Sequence, residues 1–176
     1  ISFKGPADAK KEGIACVYQE LNIVKDLSIT DNMFLGNYLK GKAGFLDYRS
    51  MNQKTKSILE SMNQNIDPLE ICGNLGMGQQ QMVEIGKSIL WNAQVLILDE
   101  PTSSLGEKEA AELFRTVRLL KEKGLAILFV SHKLEEVFEL CDEVTVMRDG
   151  KHIITAPSSQ VTKDSLIAHM VGRKLE

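Results

Sequence analysis

Three short runs of consecutive apolar residues punctuate the chain: residues 14–18, 95–98 and 125–130. Runs of this length bounded by polar or turn residues predict buried strands. Between them the pattern changes to a spacing of three and four. Residues 49–63 place Met51, Thr55, Ile58, Leu59 and Met62 on one stripe, and residues 107–123 do the same with Ala110, Phe114, Val117 and Leu120. Both read as amphipathic helices, the second closed by Gly124. Shorter helices are predicted at residues 6–12, 30–36, 133–140 and 163–171. A Gly-rich turn (Gly73, Gly76, Gly78) opens another that carries Met82, Ile85 and Ile89 and ends near Trp91. Residues 143–147 and 152–155 flank Asp149-Gly150, a hairpin signal.

Strands alternating with helices predict an α/β domain with a mainly parallel sheet. In such sheets chemistry gathers just past the carboxyl ends of the strands. Those positions are Gln19, Asp99-Glu100 and Ser131-His132.

Composition narrows this picture. The 176 residues, 43% hydrophobic and 26% charged, describe an ordinary globular chain with a sizeable core. A net charge of −3 gives no broad basic footprint for nucleic acid or anionic lipid, so no nucleic-acid partner is expected. No apolar run approaches the roughly 20 residues that span a bilayer. Cys16, Cys72 and Cys141 show no close pairing and read as structural or incidental thiols of a reducing compartment. The opening residues show no charged, apolar and small-residue leader.

Two readings attach to the acids at the second strand's end. Asp99 could hold Mg²⁺ through water while Glu100 orients or deprotonates an attacking water, or both could be solvated caps. His132 could donate to a γ-phosphate or serve structure alone, and Gln19 could touch metal and water or be a loop amide. Gly76-Met77-Gly78-Gln79 at a helix start could cradle a phosphate on free backbone N–H groups or form a plain N-terminal turn.

The order of these motifs resembles the nucleotide-binding domains of ATP-binding cassette (ABC) proteins. Val17-Tyr18-Gln19-Glu20 resembles the Q-loop, Leu75-Gly76-Met77-Gly78-Gln79 the signature motif, and Val95-Leu96-Ile97-Leu98-Asp99-Glu100 Walker B. Ser103-Ser104-Leu105-Gly106 falls at the D-loop and His132 at the switch histidine. Asp99-Glu100-Pro101-Thr102-Ser103-Ser104-Leu105, Cys141-Asp142-Glu143-Val144 and Met170-Val171-Gly172-Arg173 narrow the resemblance to ATPases of ribose- and galactose-type sugar importers.

That resemblance implies a P-loop NTPase-like fold with an inserted helical subdomain. Residues 1–28 and 91–156 would form part of the catalytic core, 29–90 the helical subdomain with the signature, and 157–176 a C-terminal extension. It implies ATP and Mg²⁺ as cofactors. Glu100 would act as base, His132 would steady the γ-phosphate, and Asp99 and Gln19 would serve the metal. Gly76, Gly78, Gln79 and Ser104 would face nucleotide held by a second nucleotide-binding domain. Further implied partners are permease subunits, docked on residues 31–61, and indirectly a periplasmic sugar-binding protein. The setting would be the cytoplasmic face of the bacterial inner membrane. The alternatives are a non-transport ABC ATPase and a non-catalytic module lending its signature to a partner's ATP.

Two departures qualify the resemblance. No Gly-x-x-x-x-Gly-Lys-[Ser/Thr] motif is present: residues 36–42 have the spacing but Ala43 follows, and Gly86-Lys87-Ser88 has the ending but Gln81 where the first Gly is needed. The family's phosphate loop is therefore expected upstream of Ile1, the chain as most of the first half of a tandem protein, and the 176 residues alone as inactive. Gly76 stands where the family usually has Ser, and the loss of one hydrogen bond to a charged group is worth roughly 1.5–3 kcal/mol.

Overall fold

The computed structural model describes residues 2–41 and 44–172. Lys42 and Ala43 of the first phosphate-loop near-match, and Arg173 of the sugar-importer motif, lie outside the described residues. The chain forms two compact units, Ile1–Val130 and Ser131–Glu176.

The first unit begins with α1 (Pro6–Lys11), where Pro6 occupies the first turn, Asp8 lies near the positive end of the helix dipole and Lys10 and Lys11 near the negative end. It leads into β1 (Ile14–Val17). Three α-helices follow among the described residues. In α2 (Ile29–Phe34), Ser28 Oγ caps the start by accepting from the Asp31 N–H at 3.0 Å. Asp47 does the same for α3 (Tyr48–Ser61) through the Ser50 N–H, and the bond it accepts from the Ser50 hydroxyl at 2.7 Å, with that N–H, holds the Asp47 carboxyl below its usual range. Met51, Thr55 and Leu59 of α3 are buried and Ile58 half-buried, as the helical stripe predicts. The third, α4 (Met77–Leu90), buries Met82, Val83 and Ile85. Gly86 lies mid-helix against Met62, Ile58 and Met33, so the Gly86-Lys87-Ser88 near-match is a packing element of α4.

β2 (Val95–Asp99), α5 (Glu107–Glu122) and β3 (Ala126–Val130) complete the unit. The sheet is parallel with order β1-β2-β3, and its register aligns Val17, Leu98 and Phe129 on one rung. Val17, Leu96 and Leu98 are sealed on one face, and Phe129 meets Phe114 of α5 edge-on with centroids 6.3 Å apart.

The apolar runs at residues 95–98 and 125–130 predict strands buried on both faces, and here the structure differs. β2 buries only alternate residues, and β3 leaves Leu128 55% and Val130 42% exposed. A parallel strand is buried on both sides only when helices cover both faces. Within this unit α5 covers one face, and β3 is the edge.

The second unit contains α6 (Leu134–Leu140), β4 (Glu143–Arg148), β5 (Lys151–Pro157) and α7 (Lys163–Val171). β4 and β5 form an antiparallel hairpin whose turn residues Asp149 and Gly150 both have positive φ, the geometry that Asp-Gly favours. Leu134, Val146 and Leu166 form its core, with Val144, Ile154 and Ile167 packed around them.

The open edge and face of β3 generate a testable expectation. The 176-residue chain should bind an apolar fluorescent dye, and the double substitution Leu128→Lys, Val130→Lys should remove most of that signal with the melting midpoint kept within a few degrees. Unchanged dye binding in the double variant would place the exposed apolar surface elsewhere.

Candidate functional site

The register collects three predicted residues at one edge of the sheet. Val17 is the last residue of β1 and pairs with Leu98, so Gln19 and Glu100 each lie two residues beyond the same rung, with Asp99 between Leu98 and Glu100. Asp99, half-buried, ends β2 opposite Val130. Gln19 is exposed in the loop after β1.

Glu100 has φ 47, a left-handed conformation that costs a non-glycine residue about 1–3 kcal/mol. Backbone bonds hold it there: the Glu100 N–H donates to Val130 O at 2.9 Å, and Glu100 O accepts from the Ser103 N–H at 3.1 Å. Such strain gathers where a side chain must leave the backbone in a fixed direction. Burial, and then the Asp99 charge, push the Cys16 thiol above its ordinary pKa, so Cys16 stays protonated.

Asp99 and Gln19 offer hard oxygen donors. Among the described residues there is no group of three or more His, Cys, Asp or Glu able to cage an ion. This donor set fits Mg²⁺, which takes one or two carboxylates and fills its remaining positions with water and phosphate oxygens. It does not fit zinc, whose sites use three or four protein ligands.

The signature residues form a second cluster. Gly76 caps α4 in extended conformation, and its N–H donates to the Gln79 Oε1 at 3.3 Å. Gly76 and Gln79 are exposed, whereas Gly78 is buried against Glu109 in the first turn of α5. A Cβ on Gly78 would lie 3.1 Å from both Glu109 Cβ and Cγ. Glu109 in turn accepts from the Gly106 N–H at 3.0 Å. The starts of α4 and α5 therefore meet over Glu109, which brings Gly76, Gly78 and Gln79 beside Gly106, the end of the segment containing the exposed Ser104. Sequence reasoning passed over Glu109. Its signal was the Gly106-x-x-Glu109 spacing, which is that of a capping pair.

His132 lies in the second unit, exposed, beside an apolar groove of about 260 Å³ lined by Leu134, Ile167 and Met170. The adjacent Ser131 Oγ donates to Glu136 at 3.0 Å and accepts from the Lys133 N–H at 3.1 Å, which fixes the entry into α6.

The family model described as "ABC transporter" matches residues 4–103. The galactose/methyl galactoside import ATP-binding protein MglA of Escherichia coli (strain K12) is 49% identical over 175 residues, and that of Pasteurella multocida (strain Pm70) 45%. Each alignment covers 99% of this chain and 34% of the relative, so the chain spans about a third of the length of these relatives. Among solved structures, a nucleotide-free ATP-binding cassette from an ABC transporter is 25% identical with a TM-score of 0.71, over 88% of this chain and 64% of that one. A second cassette, at 24% identity, shares the fold with a TM-score of 0.79, over 98% and 72%. The two solved structures agree with the α/β P-loop NTPase-like fold, and the MglA relatives agree with the sugar-importer resemblance read from the motifs. No helix among the described residues is long and apolar enough to cross a membrane.

The two signature glycines should respond oppositely to the same substitution. A Cβ on Gly76 would meet nothing closer than a Glu109 oxygen at 3.7 Å, so Gly76→Ser should leave stability unchanged or raise it by a few tenths of a kcal/mol through its cap. Gly78→Ser should lose about 1–3 kcal/mol by overpacking on Glu109. Urea unfolding of the two variants checks the contrast.

Proposed function

Because the chain belongs to the ABC transporter family, we propose that it supplies the hydrolytic edge and signature face of an ATPase that powers monosaccharide import across the bacterial inner membrane. The observation that carries this reading is the carboxyl edge of the parallel sheet, where Gln19, Asp99 and a conformationally strained Glu100 leave neighbouring strands together.

Asp99 would hold Mg²⁺ through water, and the Gln19 amide oxygen would complete the protein's share of its oxygen shell. Bound there with ATP, the ion neutralises polyphosphate charge. Glu100, fixed by its backbone bonds to Val130 and Ser103, orients the attacking water and takes its proton. His132 steadies the γ-phosphate as donor. Gly76, Gly78 and Gln79 present the N-terminal amides of α4, and Ser104 the adjoining segment, to nucleotide held by a second nucleotide-binding domain.

The domain division that accompanies this reading keeps residues 29–90 as the helical subdomain and residues 157–176 as an extension. Its partners are a second nucleotide-binding domain, membrane permease subunits that meet residues 31–61, and through them a periplasmic sugar-binding protein. The chain would work at the cytoplasmic membrane face. Relatives named for galactose and methyl galactoside import support a simple sugar as the cargo.

The test is turnover and nucleotide binding by the polypeptide in its native flanking sequence. Glu100→Gln should lower the ATPase rate roughly 10²- to 10⁴-fold with Mg-ATP binding retained, the loss expected when a general base is removed. Nucleotide binding with no turnover in the parent would favour the non-catalytic module, and full turnover in Glu100→Gln would remove Glu100 from the chemistry.

A further inference from the structure

The loop that carries Gln19 is held at both ends. Upstream, Val17 is fixed in β1. Downstream, the side chain of Asn32 in α2, wholly buried, grips Val24 from both sides: its Oδ1 accepts from the Val24 N–H at 2.8 Å, and its Nδ2 donates to Val24 O at 2.9 Å. The same Nδ2 lies 3.1 Å from Ser28 O, 3.3 Å from Leu27 O and 3.1 Å from the Cys72 Sγ. Its two protons are thus shared among acceptors on both sides of a seam. Burial pushes the Cys72 thiol up to about 11, so the sulfur faces Asn32 as a neutral thiol.

That seam is antiparallel. Lys25 O accepts from the Gly73 N–H at 2.8 Å, and Leu27 O from the Cys72 N–H at 3.0 Å. The Ile29 N–H donates to Glu70 O and the Thr30 N–H to Pro68 O, each at 3.0 Å. A Cβ on Gly73 would stand 3.0 Å from Lys25 O, so glycine allows this close approach. Two residues past Gly73 the chain enters Leu75-Gly76-Met77-Gly78-Gln79 and α4. Five residues of extended chain reach at most about 17 Å, so the clamp on Val24 bounds where Gln19 can go.

We propose that Asn32 is a positioning residue for Gln19, clamping the Gln19 loop to the segment that leads into the signature so that the two shift as one body. The inference rests on the ATPase reading for the role of Gln19, while the clamp itself can be read without nucleotide.

The experiment uses the polypeptide in its native flanking sequence and has two arms. In the first, amide hydrogen exchange without nucleotide compares the parent with Asn32→Ala. Exchange should rise about tenfold or more at Val24–Leu27 and at residues 72–76 together, with the β2 amides unchanged. A rise at Val24 alone overturns the proposal. In the second, kcat and KM are measured for Gln19→Ala, Asn32→Ala and the double variant. Asn32→Ala should lower kcat about tenfold with KM little changed, the loss expected from a displaced reacting group, and should change kcat by less than about twofold once Gln19 is already Ala. Equal losses in both backgrounds, or a lower melting temperature with unchanged kcat, overturn the proposal. Should Asn32→Ala fail to fold, Asn32→Ser keeps a buried polar group but is too short to grip both Val24 N–H and Val24 O, and the same outcomes apply. A parent without turnover overturns the ATPase reading alone, since the exchange arm still decides the clamp.

Discussion

The parallel pairing of β2 with β1 on one side and β3 on the other is the constraint on which the rest depends. Leu96 and Leu98 are sealed from solvent, and a one-residue slip would carry both to the open face and leave Val95 and Ile97 against α5. That burial fixes the register, and the register decides that Gln19 and Asp99-Glu100 emerge on the same edge. The strained backbone at Glu100 is tolerable for the same reason, because its N–H is tied to Val130 across the β2–β3 pairing.

Joining β1 to β2 requires a long excursion, and its folding determines what stands beside the edge. α2, α3 and α4 pack on one another around Met33, Met51, Leu59 and Met62, and Gly86 lets α4 approach closely. The excursion closes through the seam between residues 25–30 and 68–73, so the chain leaving β1 and the chain entering α4 lie side by side. At that same end α4 meets the start of α5 over Glu109, which links Gly76 and Gly78 to the turn that follows Asp99-Glu100. The carboxyl edge of the sheet and the turn at residues 76–79 are thereby two ends of one packed body within the first unit.

Much of this was legible in the residues themselves. Helices with stripes such as Met51-Thr55-Leu59 formed where the spacing placed them, and Asp149-Gly150 made the hairpin turn its φ preference dictates. The motif order also carried the family, because each motif is a local string. What escaped were properties of three-dimensional neighbours. A continuous apolar run looks the same whether helices cover one face or two, so the exposure of Leu128 and Val130 was invisible. Asn32 reads as an ordinary polar helix residue until Val24 and Cys72 are brought around it, and Cys72 as an incidental thiol until Asn32 is. Glu109 likewise acquires meaning only when Gly78 presses against it. The left-handed backbone of Glu100 is set by its bonds to Val130 and Ser103, which no local pattern reports.

The claim at the centre is that the carboxyl edge of this sheet holds a nucleotide-bound divalent ion. Substituting Mn²⁺ for Mg²⁺ with ATP, in the polypeptide with its native flanking sequence, turns the ion into a paramagnetic reporter whose effect on NMR signals fades steeply with distance. The account predicts that the resonances of Gln19, Asp99 and Glu100 broaden first. Broadening centred elsewhere, with the signals of those three residues unaffected, would contradict it.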